Sequence, residues 1–189
     1  MVAIYRPPGA PPLAYHRDSP YFMFDPNPVA TVWIALDDMA PDLGPLTYVK
    51  GSHLWGDGRV GSSQNFFEGD GGMALLYSAA RRSGLGGGNT DNELKESLEF
   101  ISMSGLLAGG ISIHDGRTWH GSSGNISDLP RRGIGLHFVQ KNVMWTEAAV
   151  KSGLWRRYVK DVIDRGESLN EIELDEEDFP VTWTPEMDK

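Results

Sequence analysis

The chain contains five histidines, His16, His53, His114, His120 and His137, and no cysteine. Thiolate nucleophiles, disulfides, iron–sulfur clusters and thiolate zinc sites are therefore excluded together, and any bound metal must be held by nitrogen and oxygen. The segment that fits such chemistry is Leu13-Ala14-Tyr15-His16-Arg17-Asp18. On an extended strand, residues two apart point to the same side, so His16 and Asp18 share a face. A facing imidazole and carboxylate are two thirds of a 2-His-1-carboxylate site, the arrangement that leaves open positions on ferrous iron. The third ligand should come from a distant strand that folds back on the first, and His114 and His120 are the candidates. His114 alternates inside a strand-like run and fits a buried position equally well. His120 follows Arg117-Thr118-Trp119 and precedes Gly121-Ser122-Ser123-Gly124-Asn125, at a strand's edge where a side chain reaches a cleft, and is the better placed. Arg131 and Arg132 supply a possible cation for an oxidant such as a keto acid, whose far carboxylate a guanidinium holds bidentately. Adjacent strand residues face opposite sides, so only one of the two can face a site.

These groups need strands to carry them. Residues 29–36 (VATVWIAL) read as a buried strand, with shorter candidates at 45–49 and 73–77 (MALLY) and alternating runs at 98–102 and 111–114. Residues 133–140 (GIGLHFVQ) form the last strand, after the turn Asp128-Leu129-Pro130. One amphipathic helix is expected at 146–165, where Trp155, Tyr158, Val159 and Val162 recur at helical spacing and Gly166 ends it. Short strands between turn signals, without β–α alternation, indicate an all-β sandwich or barrel. Residues 84–89 (GLGGGN) read as a mobile loop, and no lysine follows them to make a phosphate loop.

The length of 189 residues suits a single domain, with a core over 13–142, the helix, and an acidic tail over 167–189. Seventeen basic against 26 acidic side chains give a net charge of −9, which disfavours a nucleic-acid partner. Six of those acids, Glu171, Glu173, Asp175, Glu176, Glu177 and Asp178, crowd into the tail, which reads as solvated. Neither a signal peptide nor an uninterrupted membrane-length apolar run is apparent, so a cytoplasmic protein with no membrane partner is the expectation. Tyr15-His16-Arg17-Asp18 also matches a protein-kinase catalytic motif, but it stands too near the start to follow a nucleotide lobe, and no Asp-Phe-Gly comes after it.

Taken together, His16-Arg17-Asp18, Trp33-Ile34-Ala35-Leu36-Asp37-Asp38, Gly44-Pro45-Leu46, Gly51-Ser52-His53 and His120-Gly121-Ser122 with Asn125, Ser127 and Arg131 resemble the phytanoyl-CoA dioxygenase family over about residues 15–140. The resemblance implies a double-stranded β-helix, or jelly roll, that uses Fe(2+), 2-oxoglutarate and O2 to hydroxylate or otherwise oxidise a small organic substrate, releasing succinate and CO2. It implies that His16, Asp18 and His120 bind the iron. Arg131, eleven residues after His120, matches the arginine that pairs with the distal carboxylate of 2-oxoglutarate, and Ser122 and Trp33 match positions lining that pocket. His53 matches a recurring motif position that is not a ligand. The carboxylate of Asp18 favours hydroxylation over halogenation, because halogenases of this kind carry a small residue there. Only fifteen residues precede His16, so the family's N-terminal portion is expected to be missing. A homodimer through an unpaired sheet edge is one expected consequence. The competing reading is a non-catalytic jelly-roll binding module, or a subunit completed by another chain.

Overall fold

The computed structural model describes residues 1–56, 73–85, 90–169 and 172–184. The chain divides into two compact units, Met1–Pro20 with Val29–Phe138, and Tyr21–Pro28 with Val139–Lys189. The described residues contain ten strands, β1 (Val2–Arg6), β2 (Leu13–His16), β3 (Phe24–Asp25), β4 (Ala30–Ala35), β5 (Leu46–Val49), β6 (Phe100–Ser102), β7 (Ile111–Asp115), β8 (His120–Ser122), β9 (Arg131–Phe138) and β10 (Met144–Trp145). Four α-helices accompany them, α1 (Met73–Arg82), α2 (Asp91–Ser97), α3 (Glu147–Lys151) and α4 (Arg156–Asp164). The architecture is mostly β-sheet, as expected, with a few helices, of which α1 and α2 stand outside the one helix expected. No described helix is long and apolar enough to cross a membrane.

The first unit holds two four-stranded antiparallel sheets, ordered β1-β9-β4-β7 and β2-β8-β5-β6. Strands distant in sequence become neighbours, which is what a site assembled from residues 16 to 137 requires. Along β4, Thr31, Trp33 and Ala35 are buried while their alternates are half-buried, the period-2 signature of a sheet with one core face. The same alternation along β9 buries Arg131, Gly133 and Gly135 and exposes Arg132. Trp33, Ala35, Met39, Leu46 and Tyr48 form one core cluster of this unit. A second cluster, Val49, Trp55, Leu76, Tyr77, Leu94 and Trp119, includes residues of α1 and α2. Helix α2 begins with a reciprocal capping box, in which Thr90 Oγ1 accepts from Glu93 N–H and the Glu93 carboxylate accepts from Thr90 N–H. In the second unit β3 pairs with β10, and Phe24, Val143, Trp145, Ala149 and Val159 make its core.

Four expectations are corrected. The run at 73–77 is the first half of α1, because Ser78-Ala79-Ala80-Arg81-Arg82 continues it with helix formers and places Leu76, Tyr77, Ala79 and Ala80 on one buried face. The helix expected at 146–165 is two helices: Ser152-Gly153 interrupts it, and Ser152 Oγ accepts from the N–H groups of Leu154 and Trp155 at 3.2 Å. The acidic tail is not simply solvated, since Leu169, Ile172, Leu174 and Phe179 pack against the second unit's core. The strand order begins at β1, ahead of the expected core boundary at residue 13, and β1 pairs with β9 along its whole length. Of the expected loop at 84–89, residues 86–89 lie outside the described residues, as does Glu171.

Candidate functional site

Register brings the histidines together. In one sheet His16 of β2 stands opposite His120 of β8, and His120 stands opposite Tyr48 of β5 on its other side. In the other sheet Thr31 of β4 stands opposite His114 of β7 and His137 of β9. Asp18 lies two residues beyond His16, where the chain is pinned by a Ser19 N–H to Gly116 carbonyl bond of 2.9 Å. Its two carboxylate oxygens address the two rows separately. Oδ1 is 3.8 Å from His16 Nε2 and 3.6 Å from His120 Nε2. Oδ2 accepts from Thr31 Oγ1 at 2.6 Å and from His114 Nε2 at 3.2 Å, with His137 Nε2 at 3.8 Å. Ligand atoms of His16, Asp18 and His120 all lie within 4.8 Å of one another.

Tautomers follow from the partners. His16 Nδ1 is 2.8 Å from the Ala14 carbonyl, and His120 Nδ1 is 2.9 Å from the Thr118 carbonyl. A carbonyl only accepts, so both Nδ1 atoms carry the proton and both Nε2 atoms present a lone pair. Three acceptors, the two Nε2 atoms and Asp18 Oδ1, thus converge without a proton to share. Burial pushes the His16 imidazole down and, with the His16 ring beside it, pushes His120 down to about 3. Both rings are neutral at neutral pH. Burial works against ionisation of Asp18, but the His120, His114 and His16 imidazoles and the Thr31 hydroxyl outweigh it and hold the carboxyl well below the usual carboxylate range. Neutral imidazoles with outward N–H groups bonded to carbonyls, beside an ionised carboxylate, are a donor set suited to a divalent transition metal.

Arg131 lies on the buried face of β9, and its guanidinium donates to the Gly44 carbonyl. Burial, reinforced by the charge of Arg6, pulls its pKa down to about 10, which leaves it a cation at neutral pH. Arg6 is its register partner on β1, so two guanidinium side chains are buried at this end of the sheet. Arg132 points outward and pairs with Asp37 at 2.6 Å. Gly133 stands two residues along from Arg131, and a Cβ there would come within 2.6 Å of Trp33 Cζ2, so the Trp33 indole fills the space that a side chain would take. Arg131 Nε, Trp33 Nε1 and Ser122 Oγ are each buried with no partner. Buried polar groups are ordinarily satisfied, so each of these three has hydrogen-bonding capacity left for a ligand, although other buried atoms such as Trp119 Nε1 and Trp145 Nε1 are equally without a partner.

The model of the phytanoyl-CoA dioxygenase (PhyH) family matches residues 1–133. The chain belongs to the phytanoyl-CoA dioxygenase family. A curated phytanoyl-CoA dioxygenase from Arabidopsis thaliana is 27% identical over 127 residues, which is 67% of this chain and 38% of that protein. Two solved structures share the fold: the non-heme alpha-ketoglutarate dependent carbocyclase SnoK from nogalamycin biosynthesis (TM-score 0.56, 21% identity, 76% of this chain and 50% of that one) and the epimerase SnoN in complex with Fe3+, alpha-ketoglutarate and nogalamycin RO (TM-score 0.55, 22% identity, 76% and 49%). The chain thus spans about half the length of these structures and less of the curated relative.

Every residue the sequence singled out for the site, His16, Asp18, His120, Arg131, Ser122 and Trp33, is buried in the first unit. His53 sits in the turn Ser52–Leu54, away from these contacts. Asn125 is structural: it is buried and its amide donates to the carbonyls of Arg6, Pro7 and Leu129. Sequence reasoning did not find Thr31, nor the contacts of His114 and His137 with Asp18. These depend on pairings across β4, for which the local sequence carries no signal.

Proposed function

We propose that this chain carries the iron- and 2-oxoglutarate-binding core of a dioxygenase that hydroxylates or otherwise oxidises a small organic molecule, with release of succinate and CO2. The observation that carries the reading is the convergence of His16 Nε2, His120 Nε2 and Asp18 Oδ1, three lone-pair donors whose mutual repulsion a cation would relieve. Bound there, ferrous iron would supply dioxygen activation coupled to oxidative decarboxylation of 2-oxoglutarate. The chain's own part is to hold geometry and charge. His16 and His120 are fixed by the Ala14 and Thr118 carbonyls, so they present nitrogen lone pairs without rearrangement. Arg131 would hold the far carboxylate of 2-oxoglutarate, with Ser122 Oγ and Trp33 Nε1 as further donors and the indole keeping water out.

In this reading the two four-stranded sheets close into the double-stranded β-helix of the family, a jelly roll, and their strand orders and the TM-scores above 0.5 support that closure. The exposed edge strand β7, with Ile111 and Ile113 open to solvent, is where a homodimer would form. The test is anaerobic binding of ferrous iron and 2-oxoglutarate, read as the visible charge-transfer absorption of the chelate.

A further inference from the structure

Asp18 is the one acid of the His16–Asp18–His120 cluster, and its two oxygens are treated differently by the fold. A carboxylate oxygen has about two lone-pair positions. On Oδ2 both are taken, by the Thr31 hydroxyl at 2.6 Å and by His114 Nε2 at 3.2 Å. Thr31 and His114 are register partners on adjacent strands, so their donors arrive side by side from one rigid sheet. His114 also differs from the two candidate ligands in which nitrogen holds the proton. His16 and His120 give theirs to backbone carbonyls and turn a bare Nε2 inward. His114 Nδ1 is buried without a partner, so the proton sits on Nε2 and is donated to Asp18. Its ring is held by neighbours, with centroids 4.9 Å from Tyr48 and 4.6 Å from His120. Against this, Oδ1 faces the His16 and His120 nitrogens.

We propose that Thr31 and His114 form a carboxylate clamp that commits Asp18 to bind metal through Oδ1 alone. The proposal rests on the reading of Asp18 as a metal ligand. A carboxylate free to turn can chelate through both oxygens and occupy a further coordination position. One held at Oδ2 by two donors cannot, and positions remain for a chelating cosubstrate and for dioxygen. Thr31 and His114 are thus positioning residues, acting through Asp18 and not on the substrate.

Cobalt(II) titration of the purified chain, followed by visible absorption, tests this with Thr31→Val, His114→Phe and His114→Gln. Outer-shell partners of a metal site are typically worth about 10–100-fold in affinity, so Thr31→Val and His114→Phe should each weaken cobalt binding by roughly that factor and alter the absorption envelope as the carboxylate changes mode. His114→Gln keeps a donor near the Nε2 position and should recover most of the affinity and the original spectrum. Thermal melts of each variant without metal separate loss of fold from loss of the clamp. If Thr31→Val and His114→Phe bind cobalt with the affinity and spectrum of the unsubstituted chain, the clamp is wrong. It is equally wrong if His114→Gln fares no better than His114→Phe, since His114 would then act by packing. If the unsubstituted chain fails to bind cobalt, the metal reading itself falls, and the clamp with it.

Discussion

Gly133 and Gly135 lie two apart on the same face of β9, and neither has a backbone conformation reserved for glycine. An alanine at either position lowers the entropy of the unfolded chain and would by itself stabilise by about 0.4–1 kcal/mol. The surroundings separate them. At Gly135 the nearest atoms to a new methyl are His137 Cε1 at 3.7 Å and Ile4 Cδ1 at 3.9 Å, ordinary contacts. At Gly133 it would meet Trp33 Cζ2 at 2.6 Å, Cε2 at 2.8 Å and Nε1 at 2.9 Å, and the buried indole is hemmed in by Ala35, Met39, Leu46 and Tyr48. Overpacking of this kind costs about 1–3 kcal/mol; after the entropy gain of about 0.4–1 kcal/mol the net loss is up to about 2.6 kcal/mol, or up to roughly 10 °C in melting temperature at about 2–4 °C per kcal/mol for a chain of this size. Gly133→Ala should therefore melt several degrees below the unsubstituted protein, and Gly135→Ala at or slightly above it. Because the displaced indole is a wall of the proposed cosubstrate pocket, Gly133→Ala should also weaken 2-oxoglutarate binding in calorimetry with manganese present, while Gly135→Ala should not. Equal melting temperatures for the two variants would refute the packing argument.

The buried imidazoles make a pH prediction for the metal-free chain. In the fold His16 and His120 are pushed below their ordinary value, His120 to about 3, whereas unfolded they titrate near about 6.5. Below that pH the unfolded state binds more protons than the fold, so stability is full above it and is lost on acidification toward the folded value. Between pH 7 and pH 5 His120 withdraws about 2 kcal/mol and His16 acts in the same direction, and urea denaturation at the two pH values should record the loss; equal stability would mean that the rings are not buried neutral. Arg131→Ala should weaken 2-oxoglutarate binding about 10–100-fold, since hydrogen bonds to a charged group are worth about 1.5–3 kcal/mol, and should leave manganese affinity unchanged. Arg132→Ala, which removes only the partly exposed pair with Asp37, should change neither, and calorimetry that finds the two variants alike would reassign the anchor.

The parts of the site set by local spacing are legible in the sequence. His16 and Asp18 stand two apart, and that spacing suggests a shared face; the proximity holds, although β2 ends at His16 and Asp18 lies in the bend just beyond it. Strand alternation says only that one of Arg131 and Arg132 faces inward; the apolar Ile134, Leu136 and Phe138 share the parity of Arg132 while the buried face of β9 carries Gly133 and Gly135, so it is the family resemblance that singles out Arg131. The surroundings of Asp18 are not legible, because Thr31, His114 and His137 meet only through the registers of β4 with β7 and β9. His114 shows the limit well: its alternating run indicates burial and nothing about the oxygen it holds. Among the elements, the run at 73–77 is apolar in either reading, and only its continuation through Arg82 distinguishes helix from strand. Strand β1 is five residues long and exposed along most of one side, so its pairing with β9 provides what its pattern lacks.

The most direct measurement is an absorption spectrum taken without oxygen, on the purified chain with one equivalent of ferrous iron, before and after 2-oxoglutarate is added. The account predicts a weak visible band that appears only with both present. The band should be absent in His120→Ala and should need more 2-oxoglutarate to appear in Arg131→Ala. A chain that binds neither iron nor 2-oxoglutarate, or a band that survives loss of His120, would contradict the assignment of His16, Asp18 and His120 as the iron site.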